Sequence, residues 1–221
     1  MANIGLLVLT KPKKLQGILP IIRQHVSKTL YVQLYPGRQR LVNPVPSNET
    51  ISVWHNHGPA IFGIYSQVTA ACHHMDVRVL LTAIKNPLLS TVHTRKQIEL
   101  VIFDRVFDEA EVDNFLKSCL LNATHKCQIV TVTDNEDSSS DNMFHYPPKT
   151  PESFNSDRML PGPGKESNIY ENVVLGGTFD RLHAGHKILL SEAVLRCTRK
   201  LTVGVADTGM LKCKTYFSYY C

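Results

Sequence analysis

Residues 173–187 constrain this chain most. Val173-Val174-Leu175 is a short apolar run of the kind that forms a buried strand, and Gly176-Gly177-Thr178 stops it. A helical pattern begins near His183, continues as an amphipathic helix over 188–195, and is followed by the strand-like Leu201-Thr202-Val203-Gly204-Val205-Ala206-Asp207. The stretch therefore predicts one βαβ unit with a glycine-bearing turn between its first strand and its helix. The amides of a helix's first turn lack intrahelical partners and sit at the positive end of its dipole, so anions collect there. Gly176 and Gly177 would let backbone approach a phosphate, and His183 and His186, three residues apart, would share one face of the first turn.

Such a turn suits nucleotidyl transfer, which needs no enzyme nucleophile. An incoming phosphate oxygen attacks the α-phosphorus of a nucleoside triphosphate and pyrophosphate leaves, so positioning and charge neutralisation are the protein's tasks. Imidazoles can donate hydrogen bonds to phosphate oxygens and protonate near neutral pH, which gives His183 and His186 the second task. Gly185 between them would leave room for a base or ribose, and Thr178 offers a hydroxyl and an amide.

Gly176-Gly177-Thr178-Phe179-Asp180-Arg181-Leu182-His183-Ala184-Gly185-His186-Lys187 resembles the signature of the His-x-Gly-His nucleotidyltransferases. The leading Gly-Gly-Thr and trailing Lys187 are most similar to phosphopantetheine adenylyltransferases of the archaeal and eukaryotic type; cytidylyltransferases share the shorter core and are the alternative. With Gly5-Leu6-Leu7-Val8-Leu9-Thr10 and Leu30-Tyr31-Val32-Gln33-Leu34 also fitting, the whole chain resembles the N-terminal part of the animal bifunctional coenzyme A synthases. The resemblance implies an enzyme taking ATP, with Mg²⁺ on its triphosphate, and 4′-phosphopantetheine. It implies that Thr178 and Phe179 contact ATP and the incoming phosphate, that His186 stabilises the transferring phosphoryl group, that His183 holds the triphosphate, and that Lys212 or Lys214 grips the phosphate of 4′-phosphopantetheine. Gly176, Gly177 and Gly185 complete the implied nucleotide site, and no protein ligand for a metal is implied. The family's further βα units and second signature do not follow Lys214, and no Gly-x-x-x-x-Gly-Lys-Ser/Thr occurs. A C-terminally truncated form without the kinase half is thus expected, and a non-catalytic binding or regulatory chain is the competing expectation.

Ahead of this unit, strands are expected at Gly5–Leu9, Leu30–Tyr35, Asp76–Thr82, Glu99–Asp104 and Gln128–Thr133, and helices at Ile18–Ser27, Ile61–His74 and Asp108–Asn122. The alternation argues an open, parallel α/β sheet serving as an accessory domain over residues 1–133. Asp104 and Asp134 fall at strand ends, where such sheets place ligands, but no phosphate loop or catalytic set accompanies them, so structural roles are expected. His55, His57, Cys72, His73 and His74 match no standard zinc spacing, and the histidines read as surface or helix-end residues.

Charge marks the boundary. Residues 1–133 carry 14 basic against 8 acidic side chains, residues 134–168 carry 3 against 7, and residues 169–221 carry 7 against 4. The acidic, proline-rich middle reads as a linker, leaving 169–221 as the partial nucleotidyltransferase domain. The net charge of +5 is dispersed, with no basic-aromatic groove, which argues against nucleic acid as a partner. Six cysteines without a C-x-x-C pair fit reduced thiols in an intracellular protein. The basic residues Lys11 to Arg40 precede the first acid, Glu49, so a mitochondrial address competes with a cytoplasmic one. No apolar run is long enough to span a membrane.

Overall fold

The computed structural model describes residues 1–34, 57–86, 91–133 and 169–206. Trp54, His55, Asn56, Asp134, the 134–168 stretch, Lys212, Lys214 and the 215–221 tail lie outside the described residues. The first sheet is built from β1 (Ala2–Leu9), β2 (Val26–Leu34), β3 (Asp76–Leu80), β4 (Ile98–Phe103) and β5 (Ala123–Thr131). All neighbours are parallel, in the order β3-β2-β1-β4-β5. Helices α1 (Leu15–His25), α2 (Gly58–Ala71) and α3 (Glu109–Asn114) intervene. This is the α/β architecture expected from the alternation of patterns.

Parallel strands covered on both faces read as unbroken apolar runs, and β1 does. Leu7 and Leu9 enter one core with Leu15, Ile18 and Ile22 of α1 and Ile61, Ile64 and Val68 of α2. Leu6 and Val8 enter the opposite core with Val101, Phe103 and Phe115. Strand order reverses between β1 and β4, and there Asp104 is fully buried. Its Oδ2 accepts from Thr10 N at 2.6 Å, Thr10 Oγ1 at 2.7 Å and Lys11 N at 3.3 Å. The carboxylate therefore fastens the β1–α1 turn, a structural role.

Several boundaries differ from expectation. The helix expected to run to Ser27 ends at His25, and Val26 to Thr29 belong to β2. No glycine or proline separates the two, and Val26 is both the helix cap and the first strand residue. The helix expected over 108–122 is α3, whose start is held by a capping box between Asp108 and Glu111, followed by a π-helical turn at Phe115–Cys119. Strand β5 begins at Ala123, five residues before the expected start.

The second sheet has two parallel strands, β6 (Tyr170–Gly177) and β7 (Cys197–Val205), joined through α4 (Ala184–Arg196). Val173 lies opposite Leu201 and Gly176 opposite Gly204. As in α1, the residue capping α4, Cys197, is already strand. One side of α4 packs on α2. Leu195 is buried in the core that holds Ile61 and Val68, with Ala184 and Ile188 beside it. Lys187 Nζ reaches Asp76 Oδ1 and donates to the Val77 carbonyl at 2.9 Å, and Lys85 Nζ donates to the Cys197 carbonyl.

Burial lifts the Tyr65 phenol above its ordinary pKa, against its hydrogen bonds with Val79 and Ser191. At Asp76, burial alone would raise the carboxyl's pKa, but the hydrogen bonds and charges of Lys187 and Arg78 outweigh it and hold the group below its ordinary value. The joint between the sheets is therefore part apolar and part ionic.

Candidate functional site

Strand β6 ends in a turn that carries most of the expected residues. Phe179 has φ +44°, a left-handed conformation that costs a non-glycine residue roughly 1–3 kcal/mol. The conformation places its ring 4.9 Å from that of His186, tilted by 50°. A Cβ at Gly177 would lie 3.0 Å from the Phe179 ring, so this glycine makes room for the aromatic ring. Thr178 Oγ1 donates to Asp180 Oδ1 at 3.0 Å, which braces the turn.

Helix α4 starts without a side-chain cap. His183 occupies the N-cap position in extended backbone, φ −93° and ψ 176°, and its carbonyl accepts the first helical bond from Lys187 N at 3.1 Å. The spacing of three brings the two imidazoles together, with ring centroids 3.9 Å apart and planes within 28°. Gly185 allows the overlap: a Cβ there would meet His183 Cε1 at 3.1 Å and Nδ1 at 3.2 Å. The space expected to admit a base is crossed by the His183 ring. His186 Nδ1 lies 2.9 Å from the Arg181 carbonyl, an acceptor, so that nitrogen carries a proton. Nε2 then becomes a donor only when the ring is cationic.

Gly176, Gly177, Thr178, Phe179, His183, Gly185 and His186 thus stand at one strand–helix junction, with His183 and Gly185 exposed and His186 half-buried. Two stackable imidazoles and the free amides of a helix start form a local positive field suited to an anion. Lys212 and Lys214 lie outside the described residues. Among the described residues no group of three or more His, Cys, Asp or Glu side chains is arranged to hold a metal, and no helix is long and apolar enough to cross a membrane.

Sequence reasoning did not find the residues facing the start of α4 from the first sheet. His73, His74, Asp76 and Arg78 line a pocket with His183 and Lys187. Asp76 and Lys187 are 111 positions apart, and no local spacing signals their meeting.

A family model described as "COASY N-terminal domain" matches residues 3–131, more than half of the 221-residue chain. Phosphopantetheine adenylyltransferase of Saccharomyces cerevisiae (strain ATCC 204508 / S288c) is 40% identical over 57 residues, which is 26% of this chain and 18% of the relative. The phosphopantetheine adenylyltransferase of Thermococcus gammatolerans (strain DSM 15229 / JCM 11827 / EJ3) is 49% identical over 47 residues, 21% of this chain and 29% of the relative. That of Pyrococcus furiosus (strain ATCC 43587 / DSM 3638 / JCM 8422 / Vc1) is 47% identical over 47 residues, with the same shares. The matched part of this chain thus spans less than a third of the length of these curated relatives. No solved structure matches. The chain belongs to the COASY N-terminal domain family and is related to the coenzyme A synthases.

Proposed function

We propose that this chain handles nucleotide as a pantetheine-phosphate adenylyltransferase of coenzyme A biosynthesis, of the animal bifunctional type, with residues 1–133 as accessory domain, 134–168 as linker and 169–221 as the transferase part. The observation that carries this reading is the stacked His183–His186 pair at the open start of α4, directly after β6. A phosphate oxygen of 4′-phosphopantetheine would attack the α-phosphorus of MgATP. The bond between the α-phosphorus and the α,β-bridging oxygen breaks, pyrophosphate leaves with the electron pair, and dephospho-CoA forms. His186, protonated, would donate from Nε2 to the oxygens gaining charge, and His183 would hold the triphosphate beside it. Thr178 and the amides of the turn would receive the incoming phosphate, with Lys212 or Lys214 as its cationic grip. Two relatives' printed names and the His-x-Gly-His spacing support the chemistry.

A second reading is a nucleotide-binding regulatory chain without turnover. It is favoured by the open faces around the turn, where Val174 is 77% and Val205 66% exposed, since transfer benefits from water exclusion. Pyrophosphate release from ATP and 4′-phosphopantetheine separates the two. Turnover that falls about 10²- to 10³-fold in His186→Ala, with unchanged circular dichroism, supports the transferase. ATP binding that depends on His186 without turnover supports the regulatory chain, and neither result would remove both. Preference for CTP over ATP would reassign the chain to the cytidylyltransferases.

A further inference from the structure

The pocket between the first sheet and the start of α4 has a volume of about 470 Å³, and side chains from both regions line it. His73 and His74 stand on its α2–β3 side, both exposed, with their rings edge to face at 5.7 Å. Arg78 joins them, and His183 and Lys187 face them from α4. The one carboxylate, Asp76, is already engaged: Arg78 Nε lies on its Oδ2 at 2.8 Å and Lys187 on its Oδ1. Among the described residues, the ring nitrogens of His73, His74 and His183 and the terminal nitrogens of Arg78 have no hydrogen-bond partner.

Several unspent donors, two fixed cations and a single neutralised acid favour an anion over a metal ion, because Arg78 and Lys187 would repel a cation. A phosphate group fits best. It carries up to two charges and three acceptor oxygens, and the guanidinium fork can take two of them. The positive end of α4 lies at the rim, where His183 and Ala184 border the pocket.

We propose that this pocket is a phosphate-binding site shared by the N-terminal sheet and α4, taking either the polyphosphate tail of a nucleotide or a free phosphate compound. It goes beyond the transferase reading and shares only His183 with it. Occupancy would bridge the two sheets through the residues that already join them.

Imidazole signals of the full chain, labelled with ¹⁵N-histidine, test the site during titration with pyrophosphate, ATP and AMP. Saturable shifts at His73, His74 and His183 with pyrophosphate are expected. Arg78→Gln and His74→Gln should each weaken binding about tenfold, as loss of a charge-assisted bond implies. His186→Ala should leave the His73 response within about twofold. ATP saturating more tightly than pyrophosphate, with AMP silent, identifies a nucleotide tail as the source; pyrophosphate as the tighter ligand identifies a free phosphate compound. Unmoved His73 and His74 signals, binding indifferent to both substitutions, or stoichiometric Zn²⁺ in place of pyrophosphate would overturn the proposal. His186 responding to ATP while His73 stays silent would leave the transferase reading standing alone, and the reverse pattern would remove that reading instead. His74→Gln, at an exposed position, keeps the test valid should Arg78→Gln disturb the joint.

Discussion

The five-stranded and two-stranded sheets use the same local grammar and reach opposite degrees of enclosure. In the first, Leu6, Leu7 and Leu9 are completely buried between helices on both faces. In the second, strands with more polar residues leave even Val174 77% and Val205 66% exposed, and α4 offers part of its surface to α2. Parallel sheets depend on cover over both faces. The difference shows that β6 and β7 keep their form through mutual pairing and through α4's seat on α2, whereas β1 is held from every side. The phosphate-suited turn stands on the less enclosed of the two platforms.

The sharpest way to break this contrast is to empty the first sheet. Leu7→Ala should cost about 2–5 kcal/mol, read from the urea midpoint at constant slope. A loss below 1 kcal/mol would mean that β1 is no better supported than β6. Next, Asp104→Ala should cost about 1–3 kcal/mol by unpairing the amides of Thr10 and Lys11. Unchanged stability would show that the β1–α1 turn holds itself.

The joint between the regions is tested by pH. The Asp76 carboxyl titrates below its ordinary value of 3.8, so its contribution is complete above that value and disappears as pH falls through the lower, folded one. The stability gap between wild type and Asp76→Asn should therefore be present at neutral pH and close in acid. A gap independent of pH would assign the joint to apolar contacts alone. Smallest of all, Val174→Thr should change stability by no more than about 0.5 kcal/mol, because the side chain is in solvent. A larger loss would indicate that something covers this face.

Much of this was legible in the sequence, for identifiable reasons. Apolar stretches marked each of the seven described strands, most plainly in β1 and β4, where cover on both faces leaves little room for polar residues. The spacing of His183 and His186 signalled that the two rings meet, although His183 sits in extended backbone at the N-cap and helical periodicity alone does not set their stacking. The start of β2 was missed because Val26 follows His25 without a breaker, and β-branched residues there are all that marks the change. The left-handed Phe179 was hidden, since position rather than residue type imposes it. The engagement of Lys187 by Asp76 and Arg78's place opposite His183 are products of packing between distant segments, which periodicity does not encode.

In two of the helix-to-strand connections, α1 into β2 and α4 into β7, the chain passes from one element to the next with no intervening residue. A joint without slack works as a crank. Cys197 closes α4 and opens β7, so the end of the helix and the start of the strand share one stretch of backbone and neither can be re-seated without moving the other.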